Sequence, residues 1–208
     1  DVAFLLREKI KDLKEIKKIN IYSKKYTHIV MGSGSNDPEK YSPDASRETL
    51  DHSAMYIFAV ALEDGFWHHE TSYSNKRKKN PETVKLWKKV ETFEDPEFNR
   101  KYYDEKDPLK KVQGAKIEVI MNDGTKITEQ LDFANAHPSG KTPFGRNEYI
   151  KKMQPLINGF VSHQEELRFI SLIDSLENLD SKEIQNLNLT CDQGTVDLNK
   201  NKIEGIFN

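Results

Sequence analysis

The chain has 208 residues, 36% of them hydrophobic and 32% charged, with a formal net charge of -2 at pH 7. That balance describes a soluble globular chain and argues against nucleic acid as the main partner, because phosphate binding needs a concentrated positive excess. The single cysteine, Cys191, excludes an internal disulfide and fits a reducing, cytoplasmic setting, and no apolar run approaches the roughly 18 residues of a membrane span. No signal-peptide pattern is present. The chain opens on Asp1 rather than methionine, which suggests a processed or excised piece.

Residues 2–13, VAFLLREKIKDL, predict a helix. The segment from Ile16 to Met31 carries Ile19, Ile21, Ile29 and Val30 among lysines, tyrosines and threonine, and predicts a strand near a sheet edge, where lysines discourage pairing with another chain. The following GSGSNDPEKYSPD is turn-forming. Gly32 and Gly34 lack the third glycine and immediate helix of a dinucleotide fingerprint, and no GK[ST] closes a P-loop. An ordinary flexible loop or a small-anion loop is the expectation.

A long helix is predicted from Ser46 to Asp64. Leu50, Ala54, Ile57, Phe58 and Ala61 recur at the spacing of a buried helical face. Asp44 or Ser46 is suited to cap its start and Gly65 to close its end. Arg47 and Asp51 lie one turn apart and can pair. His52 then stands near the amino end of an apolar helix with no obvious partner.

Phe66 to Tyr73, FWHHETSY, alternates as a strand does, so that His68 and His69 point oppositely and cannot readily share a metal. His68 and Glu70 share a face, but two ligands are too few for a site. The basic run Lys76-Arg77-Lys78-Lys79 reads as a solvated loop before it reads as an anion site. Asn80-Pro81 opens a helix through Val84, Trp87 and Val90; Asp95-Pro96 opens another that ends at Tyr102-Tyr103; Asp107-Pro108 starts one more turn. Residues 74–113 could line a cleft or cover one.

A hairpin follows, with Ala115, Ile117, Val119 and Met121 alternating, Asn122-Asp123-Gly124 as the turn, and Ile127, Glu129, Leu131 and Phe133 returning. Together these elements predict an α+β fold: a small antiparallel or mixed sheet of about four strands, covered by a long helix and followed by carboxy-terminal helices. The stretch AHPSGKTPFGRNEY holds His137, Lys141 and Arg146 in a loop that is either structural or offers cations to a polyanionic ligand. Asn147 is placed to cap a helix with Ile150 and Met153 inward and Pro155 near its end. Ser162 and Glu165 form a capping box for a last helix bearing Leu167, Ile170, Ile173 and Leu176. Residues 186–208 read as a polar peripheral strand or frayed end.

No HExxH, CxxC or aspartate-rich metal motif is present, and no Ser-His-Asp set can be assigned from scattered residues. The chemistry then falls to His52, with Arg47, Lys141 and Arg146 as cations. Histidine exchanges a proton near neutral pH and arginine grips carboxylates in a fork. This suggests proton abstraction on a multiply carboxylated metabolite; the plain alternative is a buried structural histidine.

The run SNDPEKYSPDASRETLDHSAMYIFAVALEDGFWHH, with NPETVKLWKKV, EDPEF and AHPSGKTPFGR, resembles the carboxy-terminal portion of the 2-methylcitrate dehydratases of the MmgE/PrpD superfamily. The resemblance covers residues 8–178, and DHS followed by the apolar helix and ALEDG is its strongest part. It implies a large all-helical domain beside a smaller α+β domain, an active site in the cleft between them, and a homodimer. The implied reaction is removal of water from 2-methylcitrate to give 2-methyl-cis-aconitate in propionate degradation, with no iron–sulfur cluster, no other cofactor and no metal. Other members decarboxylate cis-aconitate or epimerise iminodisuccinate.

By the same resemblance His52 matches the cleft histidine, as base or acid, with Arg47 on the same helix entrance. Lys141 and Arg146 fall in the HP-x-G loop on the substrate side. Residues 14–146 correspond to the small α+β domain, residues 147–178 to a helical segment that packs on the helical domain or a partner, and residues 179–208 to a polar tail. The departure is length: the helical domain, which supplies further acid–base groups, is missing, so the chain alone is expected to be inactive. A non-catalytic structural or dimerisation domain, or a cis-aconitate decarboxylase, is the competing reading.

Overall fold

A computed structural model describes residues 1–192 and Gly194. The chain divides into two compact units, residues 1–143 and 144–208. In the first unit the elements run α1 (Val2–Lys9), β1 (Ile16–Ser23), α2 (Arg47–Asp51), α3 (Ala54–Asp64), α4 (Asn75–Lys78), α5 (Pro81–Trp87), β2 (Val90–Glu94), α6 (Pro96–Tyr103), β3 (Ala115–Met121) and β4 (Lys126–Leu131). The second holds α7 (Arg146–Ile157) and α8 (His163–Asp174). The fold is the α+β arrangement expected, with a mixed four-stranded sheet.

The strand order is β2-β1-β3-β4. β1 pairs parallel with β2, from Ile19 opposite Val90 to Ser23 opposite Glu94, and antiparallel with β3; β3 and β4 form the hairpin. Three strand expectations are corrected. The strand from Ile16 stops at Ser23, and Thr27–Met31 coils into a single wide turn. β1 is an inner strand rather than one near an edge.

FWHHETSY is the third correction, since it forms no strand. His68 Nδ1 accepts from the backbone N–H groups of Glu70 and Thr71 at 3.1 and 3.2 Å, and the Ser72 hydroxyl accepts from His68 N–H at 3.0 Å. These local bonds satisfy the backbone inside a turn and outcompete a ladder. The fourth strand is β2 instead. Its Val90 and Thr92 are buried on the core face while Glu91 and Glu94 are exposed, so the helix expected to reach Val90 ends at Trp87.

α3 is the centre of the core. Met55, Tyr56 and the run Phe58 to Leu62 are all buried, so the helix is enclosed nearly all round rather than along one stripe. Leu50, Phe58 and Ala61 are buried as their spacing predicted, and Ala54 and Ile57 are half-buried. Against α3 lie Leu6 of α1, Leu86 and Trp87 of α5, and the sheet residues Ile16, Ile19, Val90, Ile117 and Val119. Gly65, at φ 71, closes the helix in the left-handed conformation that glycine tolerates best.

Within the basic run Lys76 is exposed, while Arg77, Lys78 and Lys79 are engaged by neighbouring groups. Arg77 forks onto Asp64 at 3.0 and 2.9 Å, reaches Glu63 at 2.5 Å and also bonds Thr83. Lys78 donates to the Ala45 carbonyl at 2.7 Å, and Lys79 pairs with Asp44. One short helix thereby ties the end of α3 to the segment that leads into α2.

In the second unit Gly145, not Asn147, precedes the first turn of α7, and its N–H donates to Glu148 at 3.0 Å. Pro155 sits inside α7, which runs on to Ile157. The Ser162 hydroxyl accepts from Glu165 N–H as a cap should, but the Glu165 carboxylate turns to Arg168 and to Thr190 N–H, so only half of the capping box forms. No residue from 144 to 192 is buried, while Tyr149, Leu156, Phe160, Leu167, Ile173 and Leu176 are exposed. The tail expected from residue 186 falls for the most part outside the described residues.

Trp87 is fully buried, and its indole N–H has no hydrogen-bond partner among the described residues. Trp87→Ala should therefore cost about 3–5 kcal/mol in urea denaturation, and Trp87→Phe clearly less, because only packing and no hydrogen bond is lost. Equal losses for the two variants would contradict this account of the core.

Candidate functional site

The expected long helix is broken at His52. Ser46 caps the first piece, its hydroxyl accepting from Thr49 N–H at 3.2 Å, and α2 ends after five residues. Ser53 then starts a new helix: its hydroxyl accepts from Tyr56 N–H at 3.2 Å and donates to the Lys40 carbonyl at 2.9 Å. His52 is left at the joint, exposed, with backbone angles φ -104 and ψ 19. It is not a buried structural histidine.

The His52 Nδ1 lies 3.0 Å from the Glu48 carbonyl oxygen. A carbonyl can only accept, so in the neutral ring Nδ1 carries the proton and Nε2 keeps a free lone pair. No carboxylate pairs with His52 among the described residues.

Arg47 opens α2, the helix that ends just before His52, and is also exposed. It does not pair with Asp51. Its guanidinium carbon sits 5.1 Å from the centre of the Tyr73 ring, in cation–π geometry, and Asp51 instead accepts from the Tyr73 hydroxyl. Tyr73 arrives from the loop misread as a strand, where it stacks on Tyr56 at 6.0 Å and meets Trp67 edge-on at 5.2 Å. Tyr56 in turn contacts Trp87 at 4.9 Å, and Trp87 stacks on Tyr41. A file of aromatic rings thus runs from the core to the underside of Arg47.

The other two cations belong to other segments of the chain. Lys141 is exposed in the loop after β4, and no hydrogen bond or ion pair among the described residues joins it to Arg47 or His52. That loop is tightly folded: Gly140 N–H donates to the His137 carbonyl at 2.7 Å, Thr142 N–H donates to Asn135 at 3.0 Å, and the His137 ring stacks on Phe133. Arg146 belongs to the second unit, where its fork is engaged on Asp174, Nε to Oδ1 at 2.6 Å. Asp51 and Tyr73 were the residues that sequence reasoning missed. The first was assigned to Arg47 and the second to a strand.

Among the described residues no three His, Cys, Asp or Glu side chains are grouped to hold a metal ion, and no helix is long and apolar enough to cross a membrane. The arrangement offers an exposed guanidinium at the start of α2 and an exposed imidazole just after its end. Such a pair can take a proton from, and bind, a carboxylate-bearing molecule.

Comparison with known proteins bears on this site. The family model described as the MmgE/PrpD C-terminal domain matches residues 1–178. The chain is 28% identical over 173 residues to a protein of Saccharomyces cerevisiae (strain ATCC 204508 / S288c) described as a probable 2-methylcitrate dehydratase. The matched stretch covers 83% of this chain and 30% of that relative. The chain belongs to the MmgE/PrpD family, through its C-terminal domain.

The aromatic file has a pH signature. Burial pushes the phenols of Tyr41 and Tyr56 up to about 12 from an ordinary 10.0, with Glu91 adding to the effect at Tyr41; burial and then the Asp51 hydrogen bond raise Tyr73 as well. In the unfolded chain these groups ionise near 10.0, so the folded state holds protons that the unfolded state has released, and stability falls as pH rises from 10 towards 12. Three of the eight tyrosines should titrate late by phenolate absorbance, in step with loss of circular dichroism. Early titration of all eight with the fold intact would refute this.

Proposed function

We propose that the chain is the C-terminal part of a metal-independent hydro-lyase that dehydrates 2-methylcitrate to 2-methyl-cis-aconitate in cytoplasmic propionate degradation. Membership of the family and the resemblance to a probable 2-methylcitrate dehydratase support an acid–base lyase of this type. The observation that carries the reading to particular residues is the exposure of Arg47 on α2 and of His52 just after it, with no hydrogen bond to the imidazole Nε2 and no salt bridge to the guanidinium among the described residues.

In this reading the His52 Nε2 removes the proton on the carbon next to a carboxylate. The electron pair released forms the carbon–carbon double bond, and the hydroxyl on the neighbouring carbon departs as water with a proton from an acid. Arg47 holds a carboxylate and the negative charge that develops on it. Lys141 and Arg146 are proposed to contact the other carboxylates, which for Arg146 requires release from Asp174.

A second reading is supported by the exposed apolar side chains of α7 and α8. They suit a structural or dimerisation role, covered by an amino-terminal helical domain or by a second copy of the chain. The two readings are compatible, since a domain can dimerise and also supply one wall of a site.

The test uses the full product of the gene with 2-methylcitrate and with citrate, following double-bond absorbance. His52→Ala should lower kcat about 100-fold or more. Turnover within a few-fold of the parent would remove His52 from the reaction, and turnover of cis-aconitate alone would favour a decarboxylase.

A further inference from the structure

Asp51 follows Arg47 by four residues, the spacing at which opposite charges on a helix meet. The structure separates them with one side chain. The Tyr73 hydroxyl donates to Asp51 Oδ1, and the Tyr73 ring lies 5.1 Å under the Arg47 guanidinium. Tyr73 is itself fixed, because Tyr56 stacks on it and Trp67 meets its ring edge-on. The half-buried ring therefore offers Arg47 a platform, and its hydroxyl occupies Asp51, the carboxylate one turn along the helix from Arg47.

We propose that Tyr73 is a positioning residue of this site: it sequesters Asp51 and carries Arg47, so that the guanidinium is presented to a substrate carboxylate instead of being paired with Asp51. The chemical reason is competition. A carboxylate already held four residues away would have to be displaced before a substrate carboxylate could enter the same fork. Tyr73 acts through Arg47 and touches no reacting atom. This inference rests on the reading above that Arg47 binds the substrate.

Tyr73→Phe isolates the hydroxyl, because it keeps the ring under Arg47 and frees Asp51 to turn to it. In the full gene product this variant should raise KM for 2-methylcitrate about five-fold, the scale of an exposed ion pair, while kcat stays within about two-fold. Adding Asp51→Asn to Tyr73→Phe should restore KM, since an amide does not neutralise the guanidinium. A merely structural role predicts a lower melting temperature with no rescue by Asp51→Asn. That result, or an unchanged KM in Tyr73→Phe, overturns the inference.

Arg47→Ala separates the two claims. If it raises KM while Tyr73→Phe does not, only the role of Tyr73 fails. If it leaves KM unchanged, the assignment of Arg47 to the substrate fails and the role of Tyr73 with it. Calorimetric binding of tricarballylate, a tricarboxylate with no hydroxyl to lose, measures the same affinities apart from turnover.

Discussion

The contact between Tyr56 and Trp87, ring edge to ring face at 4.9 Å, joins α3 to α5 in the middle of the first unit's core. Tyr56 belongs to α3, and Trp87 ends α5 three residues before β2 begins. Their packing settles where the second parallel strand starts and on which face α3 lies. The same Tyr56 sends its hydroxyl to the Ser72 carbonyl at 2.5 Å, which pins the turn that carries Tyr73. From there the order passes to Asp51, Arg47 and α2. A short helix of five residues has little stability of its own, and it is held by what packs beneath it.

This dependence explains why the candidate site is exposed and yet ordered. His52 and Arg47 sit on the solvent side of a joint whose other side is filled by Leu50 and Ser53, both fully buried. The Ser53 hydroxyl makes two hydrogen bonds there, which a buried polar group must do to avoid a penalty. The break in the helix is therefore a built feature rather than fraying. It turns the chain after His52, which an unbroken helix would not do.

Much of this fold was legible in the sequence. The hairpin from Ala115 to Leu131 carries alternation and an Asn-Asp-Gly turn, two signals that agree. Asn80, Asp95 and Asp107 each precede a proline, and each caps a helix or turn as read. What failed depended on distant partners. β2 is five residues directly behind a helix, and nothing local marks it until β1 pairs with it. The break after His52 needs the Lys40 carbonyl. FWHHETSY looked extended because alternation counts only hydrophobicity, whereas the His68 and Ser72 side chains decide the backbone. At the site, His52 and Arg47 were visible by residue type. Tyr73 was not, because its bond to Asp51 spans 22 residues and an irregular loop.

The inner position of β1 has a further consequence for how the chain folds. Its parallel partner at Val90 and its antiparallel partner at Val119 both come far later in the sequence, so each pairing must first close a long loop. Chain emerging from the ribosome would carry β1 for some time with both backbone edges unpaired and Ile19 and Ile21 uncovered. Lys17 and Lys18, close to one another at its start, keep positive charge on the strand through that interval, as gatekeeping residues do. The lysines that suggested an edge strand suit β1 during synthesis, and the sheet buries that vulnerability once β2 and β3 arrive.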